Sequence, residues 1–325
     1  MKLLVTGGAG YIGSIVARQL LKGGHEVVVL DNLRQGHRQA VPEGAELIVA
    51  DLLDAEAVDA AVERGFDAVL HFAALALVGE SGTNPERYYR TNISGTLNLL
   101  EAMRGAEVPS LVFSSTCAVY GQPDEVPMDE ATPTRPTSAY GRTKLAVDWL
   151  ISDFCSAHGL GAVSLRYFNV AGASDGLGED HRPETHLIPN VLRAALGANP
   201  FVEIFGTDYP TPDGTAIRDY IHIEDLSEAH VLALEATRPG EHRIYNLGNG
   251  SGFSVREVIA AAERVTGVEV QTREAPRRPG DPPALVAASD RIRSELGWKP
   301  RKAGLDEMVA DAWAFARSRP DGYSE

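Results

Sequence analysis

Tyr140 and Lys144 stand four residues apart in Tyr140-Gly141-Arg142-Thr143-Lys144. On a helix that spacing puts both side chains on one face, about one turn apart. A lysine cation beside a phenol favours the phenolate, which makes tyrosine a usable base near neutral pH. Ser114-Ser115-Thr116 offers a hydroxyl donor upstream, and a glycine-rich loop lies close to the N-terminus. A Tyr-x-x-x-Lys pair alone falls on many ordinary solvated helices. Joined to a dinucleotide loop and a hydroxyl donor, it predicts redox chemistry on a sugar or alcohol.

The elements that must position these groups follow a regular plan. Short aliphatic runs alternate with longer amphipathic ones, the pattern of βαβ units and a parallel sheet of the doubly wound, Rossmann type. The runs predict strands at Leu3–Thr6, Val27–Leu30, Leu47–Ala50, Ala68–Phe72, Leu111–Ser114 and Ala162–Tyr167. Helices are predicted at Tyr11–Lys22, Ala55–Glu63, Pro85–Arg104 and Ala139–His158. In such a sheet ligands bind beyond the carboxyl ends of the strands, where the glycine loop, Asp31, Asp51, the segment after Phe72, and Thr116 all fall.

After Tyr167 the pattern changes. Residues 171–214 are rich in Gly, Pro and Asp, with one helix near Ile188–Leu196, and Ile217–Glu235 reads as a buried strand and helix that rejoin the first domain. Further helices are expected at Val255–Thr266 and Leu305–Arg317, with a proline-rich loop at 276–283 between them. The chain therefore reads as a dinucleotide-binding domain of residues 1–170 plus about 215–247, and a smaller α/β substrate domain of about 171–214 plus 248–325.

Thr6-Gly7-Gly8-Ala9-Gly10-Tyr11-Ile12-Gly13 follows the first strand and opens the first helix. Gly7 permits the tight turn, Gly10 lets the backbone approach a pyrophosphate, and Gly13 allows close helix–sheet packing. The helix N-terminus offers N–H groups to the phosphates. Asp31 ends the second strand, where its carboxylate can bind the adenosine ribose and repel a 2′-phosphate, so NAD is favoured over NADP. Arg34 and Arg38 weaken that preference slightly. Asp51 either meets the adenine edge or caps the following helix before Asp54.

A net charge of −15 argues against non-specific nucleic-acid binding, while a local pocket of arginines still suits an anionic small ligand. No apolar run approaches membrane-spanning length, and the N-terminus leads straight into a strand without signal-peptide architecture. Cys117 and Cys155 read as free thiols in a reducing compartment, so a cytoplasmic location is expected.

Gly7-x-x-Gly10-x-x-Gly13, Ser114-Ser115-Thr116, Tyr140-x-x-x-Lys144, Arg166-Tyr167-Phe168-Asn169 and Arg218-Asp219-Tyr220-Ile221-His222 together resemble the extended short-chain dehydrogenases/reductases that act on nucleotide sugars. Within them the chain is most similar to the UDP-hexose 4-epimerases, from Lys2 to the Pro320–Tyr323 tail. The resemblance implies that Tyr140, as phenolate, removes the proton of the sugar 4-hydroxyl while C4 gives hydride to NAD. Lys144 binds the nicotinamide ribose and acidifies Tyr140, and Thr116 hydrogen-bonds the 4-oxygen. The transient 4-keto sugar turns over, and hydride returns to its other face.

The resemblance carries cofactor contacts onto Gly7, Gly10, Tyr11, Ile12, Gly13, Asp31, Asn32, Asp51, Leu52, Phe72, Ala73, Asn92, Tyr140, Lys144 and Tyr167. It carries UDP-hexose contacts onto Thr116, Tyr140, Asn169, His186, Leu187, Phe205, Arg218, Arg278, Asp281 and Leu285. Arginine suits a diphosphate because its planar fork gives paired hydrogen bonds; an inter-domain salt bridge is the lesser alternative for Arg218 and Arg278. Asn92 either lies close to the cofactor or bonds backbone within its own helix. Ala76 replaces a lysine found near the cofactor in some relatives.

Leu285 stands where relatives restricted to UDP-glucose and UDP-galactose carry a tyrosine, which predicts room for a 2-acetamido group and turnover of UDP-GlcNAc and UDP-GalNAc. Plain loop packing is the alternative. The helices at 85–104 and 139–158 are those that relatives use for a homodimer, with Leu97, Leu100, Val147 and Ile151 either at the contact or in the core.

Two rival activities are weighed. Nucleotide-sugar 4,6-dehydratases and UDP-uronate decarboxylases carry acidic residues just after the active-site Ser/Thr, where this chain has Cys117 and Ala118. Non-catalytic dinucleotide sensors commonly lose the tyrosine or lysine, and both are present here. Glu179-Asp180-His181…His186 fits no strong metal-ligand spacing, so no metal is expected. His71 and His222 read as hydrogen-bonded core histidines.

Overall fold

Runs such as Val27-Val28-Val29-Leu30 are apolar at every position, and strands of that kind need cover on both faces. The computed structural model, which describes residues 1–278 and 280–323, supplies it. Pro279, inside the 277–281 motif, lies outside the described residues. The first six strands are β1 (Lys2–Thr6), β2 (Glu26–Asp31), β3 (Glu46–Val49), β4 (Ala68–His71), β5 (Ser110–Thr116) and β6 (Gly161–Tyr167). They are followed by β7 (Asn169–Ala171), β8 (Val202–Phe205), β9 (Ile217–His222), β10 (His242–Leu247), β11 (Gly252–Ser254), β12 (Thr272–Ala275) and β13 (Ala284–Leu285). The helices are α1 (Tyr11–Lys22), α2 (Ala55–Val62), α3 (Val78–Thr83), α4 (Pro85–Tyr88), α5 (Gly95–Gly105), α6 (Ala139–His158), α7 (Leu187–Ala195), α8 (Ile223–Glu235), α9 (Val255–Thr266), α10 (Asp290–Leu296) and α11 (Leu305–Ser318).

Seven strands form one parallel sheet in the order β10-β6-β5-β4-β1-β2-β3. Successive residues point to opposite faces. Leu3 and Val5 join a core with Val16 and Leu20 of α1 and Leu226 and Ala229 of α8. Leu4 joins the core on the other face, with Val58 of α2, Leu99 and Met103 of α5, and Val147 and Ile151 of α6. The strand order reverses between β1 and β4, and such a switch point opens a crevice beyond the carboxyl ends.

Several expectations change. The predicted strand at Leu111–Ser114 continues through Thr116, which puts that hydroxyl on the sheet itself. The helix predicted over Pro85–Arg104 is α4 and α5 joined by a π-helical stretch at Tyr89–Ser94. Ile217–Glu235 divides: α8 packs on the large sheet, but β9 is the centre of a separate sheet with β11, β13 and β7. Its charged residues find their partners there: Asp219 accepts from the Asn249, Gly250 and Ala287 amides, and Arg218 donates to Asp281. β10 fills the edge beside β6 instead. Leu100, Val147 and Ile151, offered as alternatives for a dimer contact, are at most 1% exposed and belong to the core, while Leu97 is half-buried.

Cys117 and Cys155 are buried free thiols. No helix among the described residues is long and apolar enough to cross a membrane.

Candidate active site

The cofactor side is built on the turn after β1. Gly7 has φ +72°, and a Cβ there would stand 2.5 Å from the Ala73 nitrogen, so only glycine lets this turn sit against the chain after β4. A Cβ on Gly13 would stand 2.3 Å from the Gly7 oxygen, which presses the loop onto the first turn of α1. Gly10 differs, because its Cβ position meets only the Gly7 oxygen, at 3.3 Å. Gly10 also starts α1 without a side-chain cap, leaving first-turn N–H groups for an anion. Two glycines pressed shut and one open, at the amino end of a helix, fit a dinucleotide pyrophosphate.

Asp31 is buried, and its carboxylate accepts from the Ala9 and Leu33 amides at 3.0 and 2.8 Å. Burial raises its pKa, with those two amides pulling the other way. Asn32 donates to Asp51 at 3.1 Å, and Arg34 reaches the same carboxylate at 3.3 Å. That pairing answers the Arg34 charge, so it does not stand free for a 2′-phosphate. The helix-capping role falls to Asp54, which accepts from Ala57 N, and not to Asp51. Leu52 is buried against Gly95. Phe72 and Ala73 both donate from backbone to the Thr6 carbonyl, which brings the loop after β4 to the glycine turn. Tyr11 donates to the Gly172 carbonyl at 2.6 Å, while Ile12 packs partly buried against the core.

Asn92 lies in the π-helical stretch. It accepts from Leu75 N at 2.8 Å and donates to Leu75 O and Thr143 Oγ1 at 3.0 Å each. It therefore clamps the loop after β4 to α6, where bonding within its own helix was one expectation. Such π segments recur at functional sites.

The reacting groups come from β5 and α6. Ser138 caps α6 by accepting from Gly141 N at 3.0 Å, and Tyr140 follows in the first turn. A Cβ on Gly141 would stand 2.5 Å from the Ala118 oxygen, so this glycine lets the first turn of α6 approach the loop after Thr116. The Tyr140 phenol faces the Thr116 side chain, whose hydroxyl favours the phenolate. One turn on, Lys144 is buried over the Phe113 ring and donates to the Ser114 carbonyl at 2.8 Å.

Burial pushes the Tyr140 phenol up to about 12, against the pull of Thr116, and takes the Lys144 ammonium down to about 7, against the charge of Asp148. In the protein alone, then, burial of the phenol outweighs the pull of Thr116; with an oxidised dinucleotide bound, its positive nicotinamide ring would add to the lysine in favouring the phenolate, as the resemblance implies.

A buried network missed in the sequence supports this centre. Asp148 accepts from Arg166 at 2.9 and 3.1 Å, Arg166 reaches the Tyr120 hydroxyl at 3.2 Å, and Tyr120 donates to Asn246 at 2.7 Å. The i,i+4 step from Lys144 to Asp148 was the signal available for it. The Tyr167 hydroxyl is bonded to Ser114. His71 is bonded to Thr6 and Thr96, and His222 to Asp311 and the Glu224 amide, as expected of core histidines.

On the opposite side, Arg218 donates to Asp281 at 2.5 Å and to the Ile217 carbonyl at 2.7 Å. Its charge also reaches the thiol of Cys117, beside Thr116, and partly offsets the burial that pushes that thiol up to about 12. Leu285 pairs with Arg218 across β13 and β9 and packs against a cluster that includes Cys117, Val119 and Phe168. Asn169 pairs with Tyr220 across β7 and β9. Arg277 is held by Asp208 at 2.6 Å, whereas Arg278 lies over the Phe205 ring at 4.0 Å. Leu187 begins α7, and His186 precedes it.

Four donors that sequence spacing set aside come together here. Glu179, His181, Glu184 and His186 place ligand atoms within 4.8 Å of one another.

A sequence profile of the NAD dependent epimerase/dehydratase family matches residues 3–248. The chain is 53% identical over 321 residues to a UDP-glucose 4-epimerase of Corynebacterium glutamicum, covering 99% of this chain and 97% of that one. It is 54% identical to a UDP-glucose 4-epimerase of Streptomyces lividans, covering 100% and 98%. A solved UDP-glucose 4-epimerase from Bifidobacterium longum, in complex with NAD+ and UDP, superposes with a TM-score of 0.95 at 37% identity, covering 99% of this chain and 100% of that one.

Proposed function

The chain belongs to the NAD dependent epimerase/dehydratase family, and from that premise we propose that it inverts C4 of UDP-hexoses, interconverting UDP-galactose and UDP-glucose through a transient 4-keto sugar. The observation that carries this reading is the convergence of Thr116, at the carboxyl end of the strand next to β4, with Tyr140 and Lys144 one turn apart on α6. The open glycine at the switch point supports NAD as cofactor. NAD, when bound, supplies an acceptor for the C4 hydride and its return.

The chain's own residues do the rest. Tyr140 takes the proton of the 4-hydroxyl and gives it back to the opposite product. Thr116 donates to the 4-oxygen as charge develops there. Lys144, fixed by the Ser114 carbonyl, holds the nicotinamide ribose. Arg218, Arg278 and Asp281, with Asn169, His186, Leu187 and Phe205, hold the UDP portion while the sugar turns. Binding energy from the nucleotide thus keeps the intermediate in place. The absence of a carboxyl group at Cys117 and Ala118 leaves no acid for a dehydratase or decarboxylase step. UDP-galactose carrying deuterium at C4 tests the reading: the label should remain on C4 of the UDP-glucose formed. Loss of the label to solvent, or a 4-keto-6-deoxy product, would contradict it.

Leu285 beside Cys117 and Phe168 supports a pocket wall over remote loop packing, and hence turnover of UDP-GalNAc. Leu285→Tyr should lower UDP-GalNAc turnover about tenfold to a hundredfold relative to UDP-galactose. Equal loss on both substrates would return Leu285 to a packing role.

The large sheet draws its strands from residues 2–167 and 242–247, which supports a cofactor half distinct from a substrate half, with β9 on the substrate side. A homodimer through α5 and α6 is supported by Trp149, 62% exposed on α6, and by Tyr89, 42% exposed nearby. Two buried free thiols suit a reducing cytoplasm.

A further inference from the structure

We propose that Glu179, His181, Glu184 and His186 bind a divalent zinc-class cation on the segment that leads into α7. Both imidazoles turn Nδ1 toward the same carboxylates. His181 Nδ1 and His186 Nδ1 lie 3.0 and 2.7 Å from one oxygen of Glu179. His186 Nδ1 also lies 2.8 Å from Glu184, and His181 Nδ1 3.9 Å from the other oxygen of that carboxylate.

A neutral imidazole carries a single ring hydrogen. The hydrogen on one Nδ1 cannot point well at two carboxylates at once, yet His186 faces both. A single cation at the centre would engage all four lone pairs. Tetrahedral zinc with ligand distances of 2.0–2.2 Å sets its donors roughly 3.4 Å apart; one ligand atom from each of the four residues already lies within 4.8 Å of the others, so small side-chain adjustments close the set on a cation. Two imidazoles and two carboxylates suit zinc better than magnesium or calcium, which prefer oxygen alone.

The surroundings allow both retention and entry. The side chains of Glu179 and Glu184 are 10% and 3% exposed, whereas His186 is 45% exposed and leaves one side open to solvent. The segment is already tied to the loop after β2, since His37 contacts the Asp180 carbonyl at 2.9 Å and Gln35 donates to the Arg182 carbonyl at 3.3 Å. Asp180 itself accepts from Tyr323 N at 2.9 Å, so it is committed elsewhere and is not a ligand. A cation here would brace the entry to α7 and fix the ring of His186 through Nδ1, leaving its Nε2 for the UDP portion and joining the cofactor-side loop to the proposed UDP-binding residues. No redox step passes through it.

The test is zinc binding to the NAD-loaded, full-length protein. After treatment with chelator, zinc chloride is titrated by calorimetry, and metal content is then measured by mass spectrometry after gel filtration. The proposal predicts a single tight zinc per chain, with affinity lowered more than about a hundredfold in His181→Ala and in Glu179→Gln. Cobalt(II) in place of zinc should give the visible bands of a tetrahedral site in the wild-type protein, a result that needs no variant to fold. No zinc uptake by the wild type would overturn the proposal and leave an ion-pair cluster closed on itself. Equal uptake by both folded variants would overturn it as well.

Discussion

Lys144→Met should make the cofactor-free protein more stable while abolishing turnover. The ammonium is 3% exposed and burial lowers its pKa from 10.5 to about 7. Its charged form is therefore disfavoured in the fold. Between pH 7 and 10.5 the unfolded chain binds more protons at this residue than the folded one, so this residue's contribution to stability rises with pH across that window. Below pH 7 the full cost is present, and at about 1.36 kcal/mol per pKa unit it has an upper bound of about 4–5 kcal/mol. Removing the lysine also loses its bond to Ser114 O, about 1 kcal/mol, and leaves Asp148 with Arg166 and Ser115. A net gain of about 1–4 kcal/mol near neutral pH follows, in line with apolar replacement of other buried charges. It should shrink toward zero, or become a small loss, above pH 10. Urea unfolding of NAD-stripped wild type and variant between pH 6 and 10.5 reads it directly, with turnover measured on NAD-loaded protein. A variant less stable than wild type at pH 6–7, or a difference that does not change with pH, would refute the reasoning.

Thr116→Val removes the donor to the 4-oxygen and should lower kcat about tenfold to a hundredfold, with retained NAD measured by absorbance after gel filtration. Gly13→Ala puts a methyl 2.3 Å from a backbone oxygen with no flexible neighbour to yield, so we expect about 1–3 kcal/mol of destabilisation and reduced NAD content; normal stability and content would mean the loop is looser than described. Trp149→Glu should convert a dimer to a monomer by light scattering, and an unchanged mass would move the interface elsewhere.

Much of the cofactor half was legible because its signals are local. Gly7, Gly10 and Gly13 are required by backbone approach, and uninterrupted aliphatic runs mark a sheet covered on both faces. The π-helical stretch around Asn92 was not legible, since an extra residue in one turn barely changes the apolar spacing. Nothing in the sequence singles out Gly141 between Tyr140 and Lys144; its role depends on the Ala118 oxygen, which only the tertiary fold brings near. β9 was expected to rejoin the first domain with α8, because burial alone does not say which sheet buries a strand, and the partners of Arg218 and Asp219 decide that. The Glu179–His186 cluster was set aside for its spacing, yet the turn between its members gathers all four donors.

The central claim is that Tyr140 moves the proton while hydride stays inside the protein. Purified NAD-loaded protein and its Tyr140→Phe variant should be given UDP-galactose, following UDP-glucose and absorbance of NADH together. The account predicts UDP-glucose without net NADH from wild type, and a loss of about 100-fold to 10,000-fold in the variant with NAD still bound. Undiminished turnover by the variant, or NADH accumulating in step with product, would contradict it.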